Sequence, residues 1–320
     1  MKGKIILAIL GLVVITMGII ALSQIKGAKP KVTLWSQKDI DAGKIKITTT
    51  LFPLYDMAKN IGGDKAHVSL LVPPGMEPHT FEPKPSDIIK INEADIFIYT
   101  GRFMEPWADD IIRGVVSKKL IVIDASKGTK MIHALFSDKD EPSGALDPHI
   151  WLDFANAKIM VDNIAEALEA KDPSEKAFFK QRADDYNKRL SELDAAFRKT
   201  LSTCKHKEII YAGHYAFGYL AHRYGLTYLA AQGVSPDAEP TAKDLIRLVE
   251  QIKKNNIHYV FYEELSSPKI AETIARETHA KLLLLNAAHN LTRDQFQRGV
   301  SFFEILHADL EQLKIGLECQ

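Results

Sequence analysis

PSEKAFFKQRADDYNKRLSELDAAFRKTLST, residues 173–203, reads as one long helix. Asp172 stands at the N-cap position and Pro173 in the first turn, where a missing N–H costs nothing. Apolar residues then recur at Phe179, Ala183, Tyr186, Leu190, Leu193, Phe197 and Leu201. Steps of three and four are the helical period, and residues 174–203 hold no Gly or Pro to interrupt it. At ~1.5 Å per residue such a helix spans ~45 Å, longer than one small domain. It is either an antiparallel coiled-coil arm or a backbone joining two lobes. A domain-like block on each side, 45–172 and 204–320, favours the backbone.

Each block alternates short apolar strands with helices. In the first, strands are expected at 46–51 (KITTTL), 67–72 (HVSLLV), 96–99 and 120–123, with helices at 55–61, 87–93 (capped by Ser86) and 156–168. In the second, strands are expected at 208–211, 226–230, 258–262 and 281–285. Helices are expected there at 216–224, 242–255 and 269–278. That order predicts an α/β fold: two related lobes, each a mostly parallel sheet flanked by helices, joined by one long rigid helix. A local signature repeats too. Glu82-Pro83 is followed by Asp87, Ile89 and Lys90, and Glu239-Pro240 by Asp244, Ile246 and Arg247 at the same offsets. The repeat suggests an internal duplication.

The N-terminus stands apart. Lys2 and Lys4 precede an uncharged, mostly apolar run over residues 5–22. Residues 1–23 read as a secretory signal, or as an N-terminal membrane anchor if uncleaved, and 24–44 as a polar tether. Either way the body is expected to be exported and periplasmic. Lys+Arg and Asp+Glu are both 41 in the 320 residues, so no chain-wide charge grips nucleic acid. The export segment carries two lysines and no acid, so the body without it is slightly acidic. Two cysteines, Cys204 and Cys319, are too few for a thiolate zinc module. They pair only if the C-terminal tail reaches the end of the linking helix.

Among 11 histidines, three sit in or beside loops at the carboxyl ends of strands, where ligands bind in open α/β sheets. His79 follows the second strand. His149 lies in Asp147-Pro-His-Ile-Trp-Leu-Asp153. His214 lies in Ala212-Gly-His214. Neutral imidazole suits zinc and other borderline transition metals. Taken singly, each reads better as a surface or hydrogen-bonded core histidine than as a ligand.

The chain resembles the cluster A-I solute-binding proteins of zinc and manganese ABC transporters over nearly all of residues 45–317. Pro78-His-Thr-Phe-Glu-Pro83, the Asp147–Asp153 motif, His214-Tyr-Ala-Phe-Gly-Tyr219 with Tyr224-Gly-Leu226, and an amphipathic segment at 308–317 carry the likeness, in the family's order. The resemblance implies that His79, His149 and His214 are metal ligands, that the protein is no enzyme, and that its partner is a membrane permease. It also implies that the protein works as a monomer and binds no nucleic acid. Manganese importers usually carry glutamate in place of the third histidine, so His214 favours zinc. Two departures stand out. The family's fourth ligand is an aspartate after the last strand, where this chain has Asn286. The fourth position is therefore Asn286, Glu263, His289 or water. The loop 129–147 lacks the long His-rich stretch of many zinc-type members, holding only His133 and the acidic run 138–141. The alternatives are a manganese or iron binder of the same family, a zinc–water metalloenzyme with three histidine ligands, an iron-chelate or corrinoid binder, and a surface metal store or adhesin active in cell adhesion.

Overall fold

The computed structural model describes residues 43–134, 146–234, 236 and 240–320. The export segment, nearly all of the tether, the acidic run 138–141 and Glu239 lie outside the described residues. Within them, two four-stranded sheets are built on one plan. The first runs β2-β1-β3-β4, with β1 Ile45–Thr49, β2 Ala66–Leu70, β3 Ile96–Tyr99 and β4 Ile121–Asp124. The second runs β6-β5-β7-β8, with β5 Glu208–Tyr211, β6 Thr227–Ala230, β7 Tyr259–Tyr262 and β8 Lys281–Leu284. Every pairing is parallel. A parallel sheet is covered on both faces, which is why β3 (IFIY) is apolar without alternation and buried at all four positions.

The helices are α1 Phe52–Gly62, α2 Pro85–Glu93, α3 Ala108–Gly114, α4 Phe154–Lys171, α5 Lys176–Ser202, α6 Gly218–Tyr224, α7 Ala242–Lys254, α8 Lys269–Thr278, α9 Arg293–Arg298 and α10 Phe302–Gly316. The long helix, α5, differs from expectation only at its start. Asp172 caps a 3-10 turn, Pro173–Glu175, by accepting the Ser174 N–H, and α5 begins after it. All seven stripe residues are buried. Phe197 packs on Phe154 of α4 at 5.4 Å, and Tyr186 on Phe303 of α10 at 4.7 Å. Arg223 of α6 ties Asp194 of α5 to Asp153, the N-cap of α4. The apolar core consequently runs through both lobes, taking in Ile47 and Phe97, Phe197, Phe217 and Phe261, and Phe302. A second cluster, with Ile210, Leu248, Val260 and Ile274, lies between the second sheet and α7 and α8.

Several expectations are corrected. Ser86 does not cap α2; Pro85 already occupies its first turn, and the Asp87 carboxylate accepts the Lys84 N–H at 2.9 Å. Asp244 does the same for Thr241 at the start of α7, so the two aspartates of the repeated signature close equivalent first turns. The closing helix is longer than 308–317, because Ser301 and Glu304 form a capping box ahead of it. Helices α3 and α9 were not expected. Among the described residues no helix is long and apolar enough to cross a membrane.

Cys204 and Cys319 form a disulfide across 115 residues, and Glu318 beside it holds Lys205 at 2.7 Å. At the carboxyl ends of β1 and β3, buried Glu105 accepts from Thr50 Oγ1 (2.5 Å), Thr100 N (3.1 Å) and Gly101 N (3.0 Å). It pins together the loops that lead to the site.

Candidate metal centre

His79, His149 and His214 come from three loops and meet at one point. His149 Nε2 lies 3.2 Å from His79 Nε2 and 3.2 Å from His214 Nε2. The three ring centres are 5.1, 5.2 and 5.2 Å apart. A tetrahedral metal with ~2.0–2.1 Å bonds requires ligand nitrogens ~3.3 Å apart. The imidazoles therefore already stand at zinc spacing. Their donor atoms form one of two His/Asp/Glu groups of metal-binding proximity among the described residues.

The local sequence sets each ring. In Asp147-Pro148-His149, Asp147 Oδ1 accepts the His149 backbone N–H at 3.0 Å and lies 2.8 Å from Nδ1. With the proton held on Nδ1, the Nε2 lone pair faces the cluster. Glu77-Pro78-His79 repeats the device, Glu77 Oε1 accepting the His79 backbone N–H at 3.1 Å. His214 is oriented from another element: Glu263, just after β7, places Oε1 2.7 Å from His214 Nδ1 and is itself held by Ser266 Oγ at 3.1 Å. Gly213 has to be glycine, because a Cβ there would lie 2.6 Å from the Tyr211 ring and 3.0 Å from Glu263 Oε2. Tyr219 donates to the Asp147 carbonyl at 3.0 Å.

Burial pushes His79 and His149 well below the usual imidazole range, and the neighbouring imidazoles add to the effect. Both are neutral ligands at neutral pH. Burial lowers His214 too, but the Glu263 carboxylate outweighs it and leaves His214 above its ordinary value. Burial would raise Glu263, yet His214 holds it down at about 2.

The other candidates are placed as follows. The carboxamide oxygen of Asn286 accepts the Ala288 N–H at 2.7 Å, and its backbone N–H donates to Asp309 at 2.9 Å. Both bonds build the loop after β8. Glu263 stands behind His214, on its Nδ1 side. His289 is wholly buried, with its ring centre 5.5 Å from that of His214. Trp151 packs edge-on to His149 and donates to the Ala287 carbonyl at 2.8 Å. The loop after β8 also closes over the first lobe. Phe52 N–H reaches the His289 carbonyl, Gly75 N–H the Leu291 carbonyl, and the Asn290 carboxamide donates to the carbonyls of Pro73 (2.9 Å) and Met76 (2.7 Å). Sequence reasoning missed Glu77 and Glu105. The acid-Pro-His spelling shared by 77–79 and 147–149 was a readable signal for Glu77.

Residues 47–316 match the family described as ZnuA, zinc-uptake complex component A, periplasmic. The chain belongs to this family. Among relatives of the zinc-uptake family, the high-affinity zinc uptake system protein ZnuA of Bacillus subtilis is 34% identical over 286 residues, covering 87% of this chain and 89% of that protein. The zinc-binding protein AdcA of Streptococcus pyogenes is 35% identical over 289 residues, and there the chain spans only 56% of the relative. Of solved structures, the Zn(II)-bound ZnuA-like domain of Streptococcus pneumoniae AdcA is 36% identical with a TM-score of 0.75. The match covers 86% of this chain and 100% of that one. The laminin-binding protein Lmb of Streptococcus agalactiae, a bifunctional protein with adhesin and metal-transporting activity, is 31% identical with a TM-score of 0.76, covering 86% and 99%.

Proposed function

We propose that this protein is the extracytoplasmic solute-binding component of an ABC importer. It captures a divalent transition metal, zinc, between its two lobes and hands it to a membrane permease. Residues 45–172 and 204–320 form the lobes and 173–203 the link, with His79, His149 and His214 as ligands. One observation carries the reading: three Nε2 atoms come together from three separate loops, with that of His149 3.2 Å from each of the other two. Kinship with zinc-uptake proteins supports zinc as the cargo, and three nitrogen ligands favour it over manganese. Binding is favoured over catalysis, because His149 and His214 are wholly buried, which suits an ion better than a larger substrate. Likeness to a laminin-binding adhesin supports surface adhesion as a second activity.

Mass-spectrometric metal analysis of protein purified without chelator and loaded with zinc tests the main reading. The expected result is one zinc per chain in the wild type and a large loss in His149→Ala. Absence of metal from the loaded wild type overturns it.

A further inference from the structure

We propose that His289 supplies the fourth ligand, so that the cargo sits in a cage of four imidazoles. This rests on the zinc-binding reading above and adds to it the identity of the fourth position. His289 is wholly buried, yet neither Nδ1 nor Nε2 has a hydrogen-bond partner. A buried polar atom left unpaired is costly and uncommon, and both nitrogens of one ring are unpaired here. A ring nitrogen of His289 also lies within 4.8 Å of donor atoms of His214 and Glu263.

The distances bring His289 near a fourth corner on the His214 side. Imidazoles bound tetrahedrally at ~2.0–2.1 Å have ring centres ~5.2 Å apart. The other three already meet this. His289 stands 5.5 Å from His214 and 6.4 Å from His79, so its ring has to close on His79 by about 1 Å to take a tetrahedral corner beside these two. Both rings ride on loops, and the loops are already tied to each other through Asn290.

The competing donors are occupied. The Asn286 oxygen is committed to the Ala288 N–H, and Glu263 is shared between His214 and Ser266. Four neutral imidazoles leave the full dipositive charge on the ion. Carboxylates stand one step further out: Asp147 behind His149, Glu263 behind His214, and Glu77 at 3.8 Å from His289 Nε2. Negative charge thus stabilises the ion through the rings while no oxygen enters its coordination shell. An all-nitrogen shell takes zinc, cobalt, nickel and copper in preference to manganese.

X-ray absorption of the zinc-loaded wild type, combined with the visible spectrum of the cobalt-loaded protein, tests the assignment. The expected wild-type shell is four histidine nitrogens. In His289→Ala the expected shell is three nitrogens and one oxygen, with a changed cobalt spectrum. Zinc affinity should fall by at least ~10–100-fold, the loss typical of removing even an outer-shell partner. A wild-type shell containing oxygen overturns the proposal without needing any variant. So does a folded His289→Ala protein with unchanged affinity and spectrum. If the wild type binds neither zinc nor cobalt, the zinc-binding reading itself falls, a result distinct from both.

Discussion

Glu105→Gln separates a buried carboxyl's protonation from its shape. Glu105 is 2% exposed, and burial raises its pKa from an ordinary 4.5 to about 7, against the hydrogen bonds from Thr50, Thr100 and Gly101. The folded protein therefore holds this proton more tightly than the unfolded chain does. Between those two values the native state binds more protons, so stability falls as pH rises, being fully present below about 4.5 and lost through about 7. A shift of ~2.5 units corresponds to ~3 kcal/mol in total, of which ~2–3 kcal/mol falls between pH 5 and pH 8. Glutamine has nearly the same shape and does not titrate. It faces one N–H donor with its own amide, but that penalty is the same at every pH. In urea unfolding of metal-free protein, the stability of Glu105→Gln relative to wild type should rise by ~2–3 kcal/mol from pH 5 to pH 8. A difference that stays constant across that range refutes the reasoning.

Two further outcomes follow from the site. Glu263→Gln keeps the shape behind His214 but removes the charge, and zinc affinity measured against a competing chelator should fall ~10–100-fold, with a loss under twofold counting against the role. Asn290→Ala removes the two hydrogen bonds that tie the loop after β8 to the loop bearing His79; at ~0.5–1 kcal/mol each, stopped-flow zinc release should quicken ~5–30-fold, and an unchanged rate would show that this tie does not hold the site shut.

The long helix was legible because a single apolar stripe decided it, and a stripe from Phe179 to Leu201 has only one way to be buried. Strands were legible as apolar runs, but their ends were not. Thr50 and Leu51 continue the β-branched and apolar pattern of β1 although the chain has already turned toward α1. Helices α3 and α9 are too short to show a period. His79, His149 and His214 were found from family likeness more than from spacing, since nothing local says that residues 70 and 65 positions apart share a point. The fourth position was harder. The resemblance pointed to Asn286, whereas one turn of loop, with Ala288 at a positive φ of 56°, brings His289 to 5.5 Å from the His214 ring. Backbone direction of that kind leaves almost no trace in residue type. The carboxylates behind the rings divide the same way. Asp147 and Glu77 are two residues from their histidines and readable, whereas Glu263 reaches His214 from another strand.

The bond between Cys204 and Cys319 makes the chain from 204 to 319 a covalent ring holding β5 to β8 and α6 to α10. A single cut anywhere inside a ring does not divide it. If a protease nicks any loop between these cysteines, both pieces stay joined, and the second lobe becomes in effect a circular permutant with new ends at the cut. The fragments meet again at first-order rates, without having to find each other in solution. Such damage alters the order of the chain without separating its pieces.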